Sequence, residues 1–235
     1  MKALILAAGF GSRLAPITDN LPKSLVPVNG KPILFKQIEN LLENGISDIT
    51  VVSGYKAEIL EAAVHCTWPD VKIIESVDYA TTNNMYSAYL GIKSIGTDGF
   101  LMMNADVFFD SSVIKALLAD SAPNAIVTDV GVYNEESMKV VERNGRLVAI
   151  SKTVTKEDAL GSSIDVYKFD KKGAVAFFNK CKEYIEVRKE LKKWSEVALD
   201  EILSDVEFKA CALVGRWFEI DNHEDLASAE KLFRD

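Results

Sequence analysis

Apolar and polar positions follow two different textures along this chain. From residue 2 to about 125, short apolar runs are separated by stretches of helical periodicity. Residues 2–7 form a near-continuous apolar run, the pattern of a strand buried on both faces. Between 32 and 44, Leu34, Ile38 and Leu41 share one helical face, Pro32 suits a first turn and Gly45 suits the stop. A β-branched strand over 48–53 closes at Gly54, followed by a helix over 57–64 and a strand over 71–76. The polar stretch Thr81-Thr82-Asn83 precedes a helix over 84–93, and an apolar strand over 99–104 runs toward Asp106. Strand and helix alternating four times predict a doubly wound, mainly parallel α/β sheet. Ligands of such sheets lie beyond the carboxyl ends of the strands, where both the loop after residue 7 and Asp106 would face one crevice.

After about residue 125 the runs shorten. Strand-like segments over 125–132, 138–142, 146–150 and 164–169 are interrupted by Asn144-Gly145 and Gly161. Asn-Gly between two short runs predicts a hairpin. Helices are expected over 172–189 and 195–203, strands over 208–213 and 217–220, and a closing helix over 224–233. With no linker between the textures, 1–235 reads as a single domain whose two parts divide near residue 125.

Composition narrows the function classes. Nearly half of the 235 residues are apolar (48%), enough for a sizeable core. A net charge of −8 argues against a nucleic-acid partner held by bulk electrostatics, so any anionic ligand must be captured by local basic groups. Cys66, Cys181 and Cys211 are scattered, with neither zinc spacing nor a disulfide framework, and a reducing cytoplasm is the expected location. Residues 1–8 run straight into a glycine loop and read as strand rather than signal peptide; no run reaches the length of a membrane span.

The candidate chemistry lies in the first 34 residues. Leu4-Ile5-Leu6-Ala7-Ala8-Gly9-Phe10-Gly11-Ser12-Arg13-Leu14 leads to Pro22-Lys23-Ser24-Leu25-Val26-Pro27-Val28 and Gly30-Lys31-Pro32-Ile33-Leu34. Glycines let backbone N–H groups approach phosphate oxygens, and Arg13 and Lys23 supply positive charge for a polyphosphate. Leu14 stands where a dinucleotide fingerprint needs its third glycine, and Pro32 follows Gly30-Lys31 where a P-loop needs Ser or Thr. The whole segment, including Pro16, Thr18 and Pro22-Lys23, resembles instead the signature of the nucleotidyltransferases that activate phosphorylated sugars and alcohols. That resemblance implies a Rossmann-like sheet of the nucleotide-diphospho-sugar transferase type with an acceptor-side β-hairpin lobe. It makes 1–125 the nucleotide-binding part and 126–235 the acceptor-binding part. The implied reaction is attack of a phosphate monoester on the α-phosphorus of a nucleoside triphosphate, releasing pyrophosphate.

The resemblance also assigns residues. Arg13, Lys23 and Asp106 are the expected catalytic groups. Leu6, Ala7, Ala8, Gly9, Gly11, Ser12, Arg13, Lys23 and Ala105 are expected around the nucleotide. Asp106 and Asp221 match the family's aspartates for Mg²⁺, although Asp221-Asn222 before a helix is also a good cap. Lys152 matches the lysine that receives the acceptor's phosphate, and Glu219, alternating with Asp221 on the same strand face, is a candidate either to support the metal ligands or to contact the acceptor. The segment Tyr79-Ala80-Thr81-Thr82-Asn83-Asn84-Met85-Tyr86-Ser87, with the Met138-Lys139-Val140 strand, resembles the cytidylyltransferases acting on phosphocholine and related phosphoalcohols. Asn83, Asn84 and Ser87 are then candidate contacts to cytosine or ribose, with an Asn-rich helix cap as the competing reading. Relatives often carry a glutamate where Ser162-Ser163-Ile164-Asp165 stands; its absence implies either a different acceptor or compensation by Asp165. A quaternary ammonium acceptor would need an aromatic face, for which Trp217, Trp194, Tyr133 and Tyr86 are candidates. The expected partners are a nucleoside triphosphate, CTP favoured, and a small phosphorylated alcohol, phosphonate or sugar, handled by a monomer or homodimer. Sugar-1-phosphate transfer from UTP, dTTP or GTP is the alternative.

Overall fold

A computed structural model describes residues 1–234. Strand β1 (Lys2–Ala7) enters the glycine loop, which continues through single 3₁₀ turns at Ser12–Leu14, Ile17–Asp19 and Lys23–Leu25. A two-residue hairpin, β2 (Pro27–Val28) and β3 (Lys31–Pro32), leads into α1 (Ile33–Glu43). Then come β4 (Asp48–Ser53), α2 (Ala57–Thr67), β5 (Lys72–Glu75), α3 (Asn84–Ile95) and β6 (Phe100–Asn104). Next are β7 (Val107–Phe109) and α4 (Ser112–Ala119), two short elements that the apolar pattern does not announce.

The second texture supplies β8 (Ala125–Val130), the hairpin β9 (Lys139–Arg143) and β10 (Arg146–Ser151), and β11 (Gly161–Phe169). It ends with α5 (Lys171–Lys182), α6 (Ser195–Ile202), β12 (Lys209–Ala212), β13 (Trp217–Glu219) and α7 (His223–Leu232). The expected helix over 172–189 is corrected in part: after α5 the chain widens into a π-helical turn at Glu183–Arg188.

One nine-stranded sheet runs through both parts, ordered β10-β9-β11-β6-β1-β4-β5, with β8 paired to β11 and β12 paired to β8. Its parallel region is β6-β1-β4-β5, where β1 is paired on both sides. Beyond β6 the pairings of β11 are antiparallel. Successive β1 side chains enter opposite layers, as a period of two requires. Leu4 and Leu6 pack with Met85, Ile92, Phe177 and Leu199 of α3, α5 and α6. Ala3, Ile5 and Ala7 pack with Leu34, Ile38, Leu60 and Val113 of α1, α2 and α4. A third cluster joins Leu14, Val26, Val28 and Ile33 to Phe108, Ile220, Ala229 and Phe233. It holds the glycine-loop segment against β7, β13 and α7, and so fixes where the chemistry-bearing loops meet.

Close backbone approach decides one position at the rim of the sheet. A Cβ on Gly54, just past β4, would stand 2.7 Å from the Ala8 carbonyl oxygen and 2.7 Å from Tyr79 Cβ. The Gly54→Ala variant should force the ends of β1 and β4 apart. The expected loss is about 2 kcal/mol, or roughly 4–8 °C in Tm, read by thermal unfolding. An unchanged Tm would contradict this packing.

Candidate active site

The site begins at Gly11, whose φ of +64° lies in the left-handed region. A Cβ there would stand 2.6 Å from Lys23 Cβ, so glycine is required both by conformation and by the lysine stem lying across it. The Thr18 hydroxyl donates to the Gly11 carbonyl at 2.9 Å and braces the turn. Lys23 then extends into the crevice, where its ammonium donates to Asp106 Oδ2 at 2.9 Å and Asp221 Oδ1 at 2.6 Å. Arg13 Nη2 meets the other oxygen of Asp221 at 2.8 Å.

Strand pairing brings the two aspartates together. Antiparallel β7 and β13 set Val107 opposite Glu219, and the Ile220 N–H donates to the Asp106 carbonyl at 2.9 Å. Asp106 and Asp221 thus face each other from distant parts of the chain. Asp221 is not the cap of α7. That role belongs to Asn222, which forms a capping box with Asp225 and leaves the Asp221 carboxylate for Lys23 and Arg13.

Charge balance follows this geometry. Burial works to lower the Lys23 pKa, but Asp106 and Asp221 outweigh it and raise the value. Burial likewise works to raise Asp221, yet Lys23 and Arg13 hold it below its ordinary value. At Glu219 burial, then the Asp106 and Asp221 charges, outweigh Lys23 and Lys152 and push it up to about 7. One oxygen from each of Asp106, Glu219 and Asp221 lies within 4.8 Å of the others. Asp106 Oδ1 is buried without a hydrogen-bond partner. An orphaned carboxylate oxygen in a three-carboxylate cluster fits a hard divalent cation such as Mg²⁺.

A crevice of about 380 Å³ opens over this cluster. Leu6, Ala8, Gly9, Arg13, Asn83, Asn84 and Ser87 stand on its wall on the loop side. Ala7, Gly11, Ser12 and Ala105 are not wall residues, and Lys23 reaches the crevice through the two aspartates. Asn83 is the N-cap of α3, its side chain accepting from the Asn84 N–H. The Asn84 amide oxygen accepts from the Ser195 N–H at 2.8 Å.

Lys152, Asp165 and Glu219 also line the crevice. Trp217 does not. Its indole N–H donates to Asp129 Oδ2 at 2.8 Å, and it lines an adjoining depression with Phe218 and Asn134. Of the four aromatic candidates, Trp194 lines the crevice, with the Lys152 ammonium 5.1 Å from its ring centre. Tyr133 lies beneath the Lys139 ammonium, and the Tyr86 hydroxyl donates to Asp78.

Sequence reasoning left out Phe10, Tyr79, Asn104, Glu136, Ser137 and Glu196, all on the crevice wall. Phe10 had a signal, lying between the two loop glycines, and its ring packs 5.0 Å from those of both Tyr55 and Tyr79. Glu196 had none, being one acid in a helix. Its carboxylate is buried with Asp165, and the Tyr167 hydroxyl lies 2.8 Å from Asp165 Oδ1 and 3.0 Å from Glu196 Oε1. A single hydroxyl proton serves two carboxyl oxygens only if one carboxyl keeps its own proton. Accordingly burial, then the Glu196 and Glu219 charges, raise Asp165 well above the usual range; burial raises Glu196 too.

The nucleotidyl transferase family model matches residues 2–235, the length over which this loop, crevice and carboxylate cluster are assembled. The chain belongs to the nucleotidyl transferase family. A choline-phosphate cytidylyltransferase of Streptococcus pneumoniae is 48% identical over 136 residues, 58% of this chain and 55% of that protein. The bifunctional protein GlmU of Methanocaldococcus jannaschii is 30% identical over 237 aligned positions, the whole of this chain and 55% of that protein. The chain therefore spans about half the length of these curated relatives. Among solved structures, the CTP:phosphocholine cytidylyltransferase of S. pneumoniae superposes with a TM-score of 0.80 at 24% identity, covering 99% of both chains. The inositol-1-phosphate CTP transferase of T. maritima gives 0.78 at 19% identity, covering 100% of this chain and 97% of that one. These likenesses establish the Rossmann-like nucleotidyl transferase fold. No described helix is long and apolar enough to cross a membrane.

The buried acid pair makes stability depend on pH. With its raised value, Asp165 keeps a proton in the folded state after the unfolded chain has released it above pH of about 4. Wild-type stability is therefore whole at low pH and is lost as pH rises toward the folded value. In Asp165→Asn the amide oxygen still accepts from Asn104 and the amide nitrogen donates to the Tyr167 oxygen. The variant's urea midpoint should gain on wild type as pH rises from about 4 to 8. A difference that stays flat or shrinks over that range would contradict a protonated Asp165.

Proposed function

We propose that this chain transfers CMP from CTP to a small phosphorylated alcohol, of which phosphocholine is the favoured example, with Mg²⁺ as cofactor. One observation carries the reading: the Lys23 ammonium bridges Asp106 and Asp221 between the glycine loop and Lys152. Family membership supports nucleotidyl transfer. Support for cytidylyl transfer comes from the identity with a choline-phosphate cytidylyltransferase and from a CMP-5'-(3-aminopropyl)phosphonate synthase of Streptomyces rubellomurinus, 32% identical over 179 residues.

The reaction asks little covalent work of the protein. A phosphate monoester has a second pKa of about 6, so at neutral pH it attacks without a general base. The requirement is in-line placement and neutralisation of charge on the α-phosphate and leaving pyrophosphate. In this reading backbone N–H groups of the glycine loop hold the triphosphate. Arg13 exchanges Asp221 for phosphate oxygens, and Lys23 balances charge at the α-phosphate. Lys152 leaves the Trp194 face for the acceptor's phosphate. Asp106 and Asp221, with Glu219 alongside, would hold Mg²⁺, which when bound neutralises phosphate charge and orients the triphosphate.

The test crosses CTP, UTP, dTTP and GTP with phosphocholine, inositol 1-phosphate, glucose 1-phosphate and 2-aminoethylphosphonate, reading pyrophosphate release. Release confined to CTP with an alcohol phosphate or phosphonate is expected; release from UTP or dTTP with glucose 1-phosphate overturns the cytidylyl reading. Asp106→Ala should lower kcat by at least about 100-fold while the circular dichroism spectrum is kept. Activity close to wild type would remove Asp106 from the site.

A further inference from the structure

Lys139 is a charged residue that the proposed chemistry leaves without a task. It lies at the start of β9, opposite Ser151 of β10 and Ser162 of β11, and its side chain is wholly buried. A buried ammonium is costly unless its donors are met, and burial, followed by the nearby Lys152 charge, lowers its pKa. The ammonium is met by backbone rather than by a carboxylate partner. It donates to the Lys152 carbonyl at 2.6 Å and to the Glu135 carbonyl at 2.9 Å, beneath the Tyr133 ring at 5.1 Å.

Those two carbonyls belong to separate loops that meet on one side of the crevice. The first loop carries Glu136, Ser137 and Met138 on the crevice wall; the second carries Lys152. Outside the β9–β10 ladder, no backbone hydrogen bond joins residues 133–137 to residues 152–155 among the described residues. The side-chain links between them are Lys139 and a longer contact of 3.5 Å from the Tyr133 hydroxyl to the Val154 carbonyl. A neutral side chain of similar length would fill the space but leave both carbonyls unmatched and the loops untied.

We propose that Lys139 is a positioning residue for the acceptor phosphate, holding the turn that carries Lys152 at a fixed distance from the 135–138 loop. This rests on the reading of Lys152 as the acceptor-phosphate lysine. Because Lys139 works through the Lys152 backbone, its removal displaces the Lys152 ammonium from the phosphate. It leaves the glycine loop, Lys23 and the carboxylate cluster in place.

The experiment compares Lys139→Met, Lys152→Ala and the double variant in the full chain, measuring KM for CTP and for the active acceptor in each. A KM does not depend on how much of the sample is folded, so partial loss of stability does not mask the result. Lys139→Met is expected to raise the acceptor KM about tenfold or more with CTP KM within about twofold of wild type. In the double variant the acceptor KM should rise no further than in Lys152→Ala, because the two act as one unit. If Lys152→Ala raises the acceptor KM and Lys139→Met does not, or the two effects multiply, the positioning role is wrong while the acceptor reading stands. If Lys152→Ala leaves the acceptor KM unchanged, the acceptor reading fails and the inference falls with it.

Discussion

The ammonium of Lys23 is the point on which this molecule turns. It ties a loop after the first strand to an aspartate 83 residues on and to another 198 residues on. Its stem lies so close over Gly11 that no side chain fits there. Taking both carboxylates away would leave a largely buried charge without a partner, a change that costs about 3–5 kcal/mol in comparable settings. The bridge is thus a folding constraint and a functional device at once. On the proposed reading it gathers positive charge for a polyphosphate and holds two carboxylates close enough to share a divalent cation.

The sheet makes that meeting possible. Parallel β1 and β6 end at one edge, so the glycine loop and Asp106 emerge side by side. The short pairing of β7 with β13 then carries the far end of the chain back to the same edge. Beyond β6 the antiparallel pairings of β11 lead to the part of the crevice where Lys152 rests on Trp194 and two acids share the Tyr167 hydroxyl. The site therefore gathers a glycine loop with Arg13 and Lys23, the turn after β10 with Lys152, and the acids of β11 and α6. That grouping suits a reaction joining two phosphate-bearing molecules of different shape.

Much of this was legible in the chain, for definite reasons. The apolar run of β1 and the β-branched run of β4 are bounded by glycines and were readable to the residue. The motif from Leu4 to Leu34 pointed to the glycine loop and Lys23 because phosphate chemistry restricts residue types there. Short elements escaped: β7 and α4 follow Asp106 too closely for periodicity to register. Gly161 breaks the apolar texture yet opens β11, where a Cβ would meet the Asp129 carbonyl at 2.3 Å. Trp217 looked like a ligand face, yet its indole N–H had a partner in Asp129 that only tertiary structure reveals. Glu196 and Lys139 were silent for the same reason, since burial of a charge cannot be seen in a sequence.

The central claim is that triphosphate and acceptor phosphate meet directly across Lys23, with no protein atom bonded to phosphorus along the way. Stereochemistry at the α-phosphorus tests it most directly. With CTP carrying a single sulfur on the α-phosphate in one configuration, one in-line displacement gives a product of inverted configuration, read by phosphorus NMR. Inversion is the result this account predicts. Retention would mean two displacements through a nucleotidyl-protein intermediate and would contradict it.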